Sequence, residues 1–104
     1  MRRADFEWII PAGHPAFVGH FPGRPIVPGV VLLDQALLFA EAFQGRSATA
    51  WHIAQAKFFS PVGPGERLVY RLQERLHERA GEVIVFSVRV GEREVAAGSL
   101  KPAR

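Results

Sequence analysis

The chain contains no cysteine, which excludes disulfides, thiolate metal sites and a cysteine nucleophile. It has no Gly-x-x-x-x-Gly-Lys and no Gly-x-Gly-x-x-Gly, so nucleotide phosphates find no evident cradle, and it lacks the His-Glu-x-x-His of zinc hydrolases. The four histidines, His14, His20, His52 and His77, match no zinc spacing, and no metal is expected. Ser60 and Ser99 lack the elbow context of a nucleophilic serine. There is no linker, no low-complexity tract and no repeat; Gly13-His14-Pro15 and Gly19-His20-Phe21-Pro22 merely look alike. The longest mostly apolar run, residues 26–43, contains Pro28 and Asp34 and is a poor membrane span. Met1-Arg2-Arg3 is followed by Asp5 and Glu7, which a secretory leader would not tolerate. The expectation is a cytoplasmic protein with no membrane and no nucleic-acid partner. Lysine is scarce as well: only Lys57 and Lys101 stand among 13 basic residues, and the formal charge is +3. A positive balance suits an acidic partner, and equally a solvated basic surface.

At 104 residues, 48% hydrophobic and 22% charged, the chain has the length and composition of one globular domain, residues 1–104, with one core. Residues 5–10 alternate, with Phe6, Trp8 and Ile10 on one side, and read as a first strand. Residues 11–29 hold five of the eight prolines and four of the ten glycines, a long loop of the kind that is functional rather than filler. A helix follows from about residue 29 or 30 to Gln44, with Gly45 fitting the position just past its end. Residues 50–59 read as a strand, with Trp51 and Ile53 on one face and Ala54, Ala56 and Phe58 on the other. Pro61-Val62-Gly63-Pro64-Gly65 is a turn. Residues 66–77 carry Leu68, Leu72 and Leu76 at a helical step, but Leu68, Tyr70 and Leu72 also alternate; the flanking turns favour a strand. Residues 83–90 and 93–100 complete an antiparallel sheet that needs its one helix as a cover, an α+β architecture.

The helix is apolar on almost every side, the signature of a buried helix, yet Asp34 lies one turn inside it. A dry setting would cost that carboxylate several kcal/mol unless it is paired, and would favour its holding or sharing a proton. His20, held in a Gly/Pro loop, carries the side chain best suited to move protons near neutral pH. Between them in sequence stands a helix N-terminus, whose free amides favour developing negative charge. Base, acid and oxyanion donors together describe proton abstraction next to a carbonyl, followed by departure of a leaving group. A turn histidine beside a buried aspartate satisfied by backbone is the plainer alternative. His52 and His77, in strand segments, are read as surface or edge residues.

The stretch Gly19-His20-Phe21-Pro22-Gly23-Arg24-Pro25-Ile26-Val27-Pro28-Gly29-Val30-Val31-Leu32-Leu33-Asp34 resembles the active-site segment of the hotdog-fold β-hydroxyacyl-[acyl carrier protein] dehydratases. Ala56-Lys57-Phe58-Phe59-Ser60-Pro61-Val62-Gly63-Pro64-Gly65-Glu66 resembles their following strand and turn. The resemblance implies a hotdog, an antiparallel sheet wrapped around one long central helix. It implies that His20 removes the C2 proton of the acyl thioester, that Asp34 helps the C3 hydroxyl leave as water, and that the Gly29 amide binds the thioester carbonyl. It implies a homodimer, or a higher oligomer of dimers, in which histidine and carboxylate of one site come from different chains and the acyl chain lies between them. Phe17, Phe21, Pro22 and Val30 are expected as tunnel walls from motif position. The substrate would arrive on the phosphopantetheine of an acyl carrier protein, an acidic partner, with no cofactor of the enzyme's own.

Two features depart from the better-known dehydratases. Leu38 stands where their helix has a glutamine, with Gln35 next to the carboxylate instead, and the chain is short before its first strand. Both look like the compact dehydratase-like proteins of aryl-polyene and related pigment or polyketide-type pathways. Aspartate in place of glutamate is also similar to the branch that can isomerise the double bond. Two other functions remain compatible with the fold: a hotdog thioesterase using a carboxylate-activated water, and a noncatalytic acyl-binding subunit of a biosynthetic complex.

Overall fold

Pro28 lies in an extended conformation, and the chain turns into helix α1, Gly29–Gln44, directly after it. In this computed structural model the described residues are 2–13, 26–45, 50–79 and 81–102, apart from the side chain of His77. Helix α1 stops where expected: Gly45 adopts a left-handed backbone (φ 73°) and returns its amide to the carbonyls of Ala42 and Glu41. Arg2 secures the same end. Its guanidinium lies 4.6 Å from the Phe43 ring centroid, donates to the Phe43 carbonyl, and pairs with Glu74 at 2.7 Å.

The strands are β1 (Arg3–Ile9), β2 (Trp51–Phe58), β3 (Arg67–His77), β4 (Gly81–Val90) and β5 (Arg93–Pro102). Four strands follow the helix, one at each of the four segments read as strands, so the element order is β-α-β-β-β-β. All pairings are antiparallel, in the spatial order β1-β3-β4-β5-β2. The ambiguous segment is strand β3, because its alternation places Leu68, Tyr70 and Leu72 together, each buried, on the helix side. Register carries one row of side chains across the whole sheet: Phe6, Tyr70, Val88, Ala96 and Phe58.

Helix α1 covers the middle of this face with Leu32, Ala36, Ala40 and Phe43, all buried. The small alanines let the helix approach the sheet closely. Phe39 fills one side, stacked on Phe6 at 4.9 Å and edge-on to Tyr70 at 5.1 Å.

Strand β2 differs from its sequence reading. The register shifts between Ile53 and Gln55, and Ala54 is the extra residue of a bulge. Trp51 and Ile53 therefore share the helix-side face with Ala56 and Phe58, because a one-residue insertion flips the alternation that follows it. The bulge lies beside Gly98, where a Cβ would stand 2.3 Å from the Gln55 carbonyl oxygen and 2.8 Å from the Phe86 ring; only glycine fits.

Candidate active site

The start of α1 is fixed from three sides. The Val27 amide donates to the Val62 carbonyl at 2.8 Å, which ties the approach to the helix to the turn after β2. That turn is itself pinned: Phe59 N donates to Val95 O (2.8 Å), Ser60 Oγ to Glu94 O (2.7 Å) and Gly65 N to Ile10 O (2.8 Å). Glu66 closes it by accepting from the Gly63 amide at 2.7 Å while pairing with Arg93 at 2.6 Å. The third anchor lies inside the core, where the Tyr70 hydroxyl donates to the Leu32 carbonyl at 3.0 Å. Burial pushes the Tyr70 phenol far up, so it remains a neutral donor.

These anchors frame a pocket of about 460 Å³ at the helix N-terminus, lined by Val27, Gly29, Leu32, Phe58, Ser60 and Val62 among others. Among the described residues, no side chain caps the helix and no acidic residue lies in its first turn. The Val31 amide is taken by the Pro28 carbonyl at 3.0 Å, which leaves the Gly29 and Val30 amides without a partner among the described residues, at the positive end of the helix dipole. The Phe58 ring lies against Gly29: a Cβ there would stand 2.8–3.1 Å from three of its carbons. Gly29 is needed for that close approach. Phe58, half exposed at 50%, forms that wall of the pocket.

Asp34 does not lie where the apolar helix implied. It is exposed in the single chain, and so are Val30 (62%) and Leu38 (58%), one turn to either side on the same stripe. Helix α1 is apolar on two faces but buried on one. The side carrying Asp34 points away from the chain's own core, so the chain does not supply the dry setting expected for the carboxylate. Gly29 and Val30 occupy the first turn, with Gly29 lining the pocket and Val30 on the exposed stripe beside Asp34. His20, Phe17, Phe21 and Pro22 lie outside the described residues, as does His14. His52 is exposed on the edge strand β2, as expected.

Phe58, Ser60 and Val62 as pocket walls escaped the sequence reading. Their signal was present in the stretch from Ala56 to Glu66, which resembles the strand and turn after the dehydratase helix, but alternation alone does not show that this turn folds back on Gly29. Among the described residues, no group of His, Asp and Glu is placed to hold a metal, and no helix is long and apolar enough to cross a membrane.

Comparison with known proteins defines the class and then the family. The structure is similar to a chain of the dehydratase heterocomplex ApeI:P from Xenorhabdus doucetiae, at a TM-score of 0.76 and 24% identity, over 98% of this chain and 88% of that one. It is also similar to the fluoroacetyl-CoA-specific thioesterase FlK (F36A mutant), at a TM-score of 0.61 and 17% identity, over 95% and 88% of the two chains. The fold is therefore a hotdog. In sequence, the chain is 36% identical over 89 residues to the 3-hydroxyacyl-[acyl-carrier-protein] dehydratase FabZ of Latilactobacillus sakei, a match covering 78% of this chain and 64% of that protein. The chain spans from 42% to 70% of the length of such curated relatives. The model of the ApeI-like family, described as ApeI dehydratase, matches residues 1–99. The chain belongs to that family.

Proposed function

We propose that the protein dehydrates a 3-hydroxyacyl thioester, carried on the phosphopantetheine of an acyl carrier protein, to the trans-2-enoyl thioester. The observation that carries this reading is the position of Asp34. One turn beyond the uncapped amides of α1, a carboxylate is offered on an exposed apolar stripe that its own chain leaves uncovered. A second hotdog subunit covering that stripe would dry it and bring its own His20 to the carboxylate.

In the reaction, the thioester carbonyl accepts from the Gly29 amide, and the helix dipole favours the negative charge that grows on its oxygen. The neutral His20 imidazole takes the C2 proton, and the C–H pair becomes the enolate. The enolate then collapses: the C2=C3 double bond forms, the C3–O bond breaks, and the carboxyl proton of Asp34 goes to the departing hydroxyl, giving water. His20 ends protonated and Asp34 ionised, and proton transfer between them or through water resets the pair. No cofactor enters.

Dimerisation supplies the rest. Among the described residues strand β2 is an edge of the sheet; it carries Ile53 (42% exposed) and Phe58, with Phe59 directly after it, an apolar edge of the kind that a partner covers. Edge pairing of two β2 strands would set the two helices side by side. The Xenorhabdus neighbour comes from a heterocomplex, so a different hotdog chain is the specific alternative to a second copy.

The test is the growth of enoyl absorbance from a 3-hydroxyacyl thioester, with His20→Ala and Asp34→Asn alongside. Dehydration by wild type that collapses in both variants supports the reading. Release of free thiol instead would assign the site to thioester hydrolysis. No product from a folded protein, on carrier-linked substrates of several lengths, would leave an acyl-binding subunit.

A further inference from the structure

The second face of the sheet has a feature that the active site does not use. Strand β4 reads as an almost unbroken apolar run, Val83-Ile84-Val85-Phe86, which is the pattern of a strand covered on both sides. Ile84 and Phe86 face the helix and are buried, whereas Val83 and Val85 lie on the outer face, Val83 itself buried (9% exposed) and Val85 half-buried. Beside them on β5 lie Ala97 and Ser99, paired with Ser87 and Val85. Small side chains in the two middle strands and long ones in the flanking strands leave a trough of about 810 Å³ on the outer face, floored by Val83, Val85, Ala97 and Ser99.

Its walls are cationic. Arg75 rises from β3 on one side and Lys57 from β2 on the other, and no acidic residue lines the trough. Neither forms an ion pair among the described residues, although four other arginines of the chain do. The two cations lie three strand spacings apart, about 14 Å across the sheet, and are further offset along it. One carboxylate or phosphate cannot reach both. An α-helix about 10–12 Å wide fits between them. A second copy of the same face would bring cations against cations.

We propose that this outer trough docks an acidic amphipathic helix of a partner protein, its apolar stripe on the valine floor and its carboxylates on Arg75 and Lys57. In the proposed reaction the partner with this chemistry is the acyl carrier protein; naming it rests on the dehydratase reading, while the chemistry of the surface does not.

The test compares two substrates bearing the same 3-hydroxyacyl group, one on holo acyl carrier protein and one on N-acetylcysteamine, with Lys57→Glu/Arg75→Glu and the charge-preserving Lys57→Arg/Arg75→Lys. The reversed pair should raise KM for the carrier-linked substrate about tenfold, leave the small thioester unchanged, and flatten the salt dependence; the charge-preserving pair should match wild type. An unchanged carrier KM, or an equal loss on both substrates, overturns the docking surface. A protein inactive on both substrates defeats the dehydratase reading instead. Docking is then decided by adding holo carrier protein to isotope-labelled wild type. Amide shifts at Val83, Val85, Ala97 and Ser99 sustain it; no shifts, or shifts confined to α1, overturn it. Self-association abolished by the charge reversal would assign the face to a second copy and also overturn it.

Discussion

Helix α1 carries two apolar stripes with opposite fates. Leu32, Ala36, Ala40 and Phe43 are buried against the sheet, while Val30, Asp34 and Leu38 run along the exposed side. By composition the stripes differ little, apart from the carboxylate. The first is closed by the chain itself, and its small residues set how near the helix lies to β3 and β4. The second has apolar side chains in water and a carboxylate among them, which makes sense as a half-site. Under the proposed function, the difference separates what this chain needs to fold from what it would offer to another subunit. Substitutions on the buried stripe should therefore register in stability, and those on the exposed stripe in assembly and turnover.

The largest expected effect lies on the exposed stripe. Asp34→Asn should lower dehydration by about 10²–10⁴-fold while the thermal midpoint stays near wild type; a large loss of stability would mean that the carboxylate supports the fold instead. On the buried stripe, Leu32→Ala should cost about 2–5 kcal/mol in denaturant unfolding. Leu38→Ala, six residues on, should change the folding of the single chain by no more than about 0.5 kcal/mol and should appear in the concentration dependence of assembly. Gly29→Ala tests the junction of the stripes: crowding against Phe58 should cost about 1–3 kcal/mol, and Phe58→Ala in the same chain should recover most of it.

Smaller effects follow away from the two stripes. Tyr70→Phe leaves the Leu32 carbonyl without its hydroxyl donor and should cost about 1 kcal/mol. The least is expected from Asp5, whose carboxyl is held below its ordinary value of 3.8 by the hydrogen bond and charge of Arg71. A depressed carboxyl contributes stability above its unfolded value, and loses it as pH falls through the folded one. Asp5→Asn should thus soften the decline of stability below about pH 4 slightly, since both partners are largely exposed.

Much of this layout was legible in the residues. Helix α1 could be placed because Pro28-Gly29 breaks the extended chain before it and Gly45 ends it. The strands followed from alternation, even in the segment with leucines at helical spacing, which is bounded by turns and followed by a clear strand. Three features were not legible, for different reasons. The Ala54 bulge is a register decision made by pairing with β5, and alternation within one strand carries no record of its partner. The exposure of Asp34 depends on whether one's own sheet or another subunit covers a stripe, and apolarity reads the same in both cases. The approach of Phe58 to Gly29 joins segments almost thirty residues apart through the turn at residues 60–66, and only the resemblance of that turn to a family segment hinted at it.

The central claim is that each site is shared between two subunits, and subunit mixing tests it most directly. His20→Ala and Asp34→Asn proteins, each inactive alone, are unfolded, combined in equal amounts and refolded together. With a shared site in a homodimer, half of the dimers are mixed and each holds one intact site. About a quarter of wild-type dehydration should return. If the mixture stays as inactive as its components while mixed dimers form, histidine and carboxylate do not come from different copies of this chain, and the account of the site is wrong.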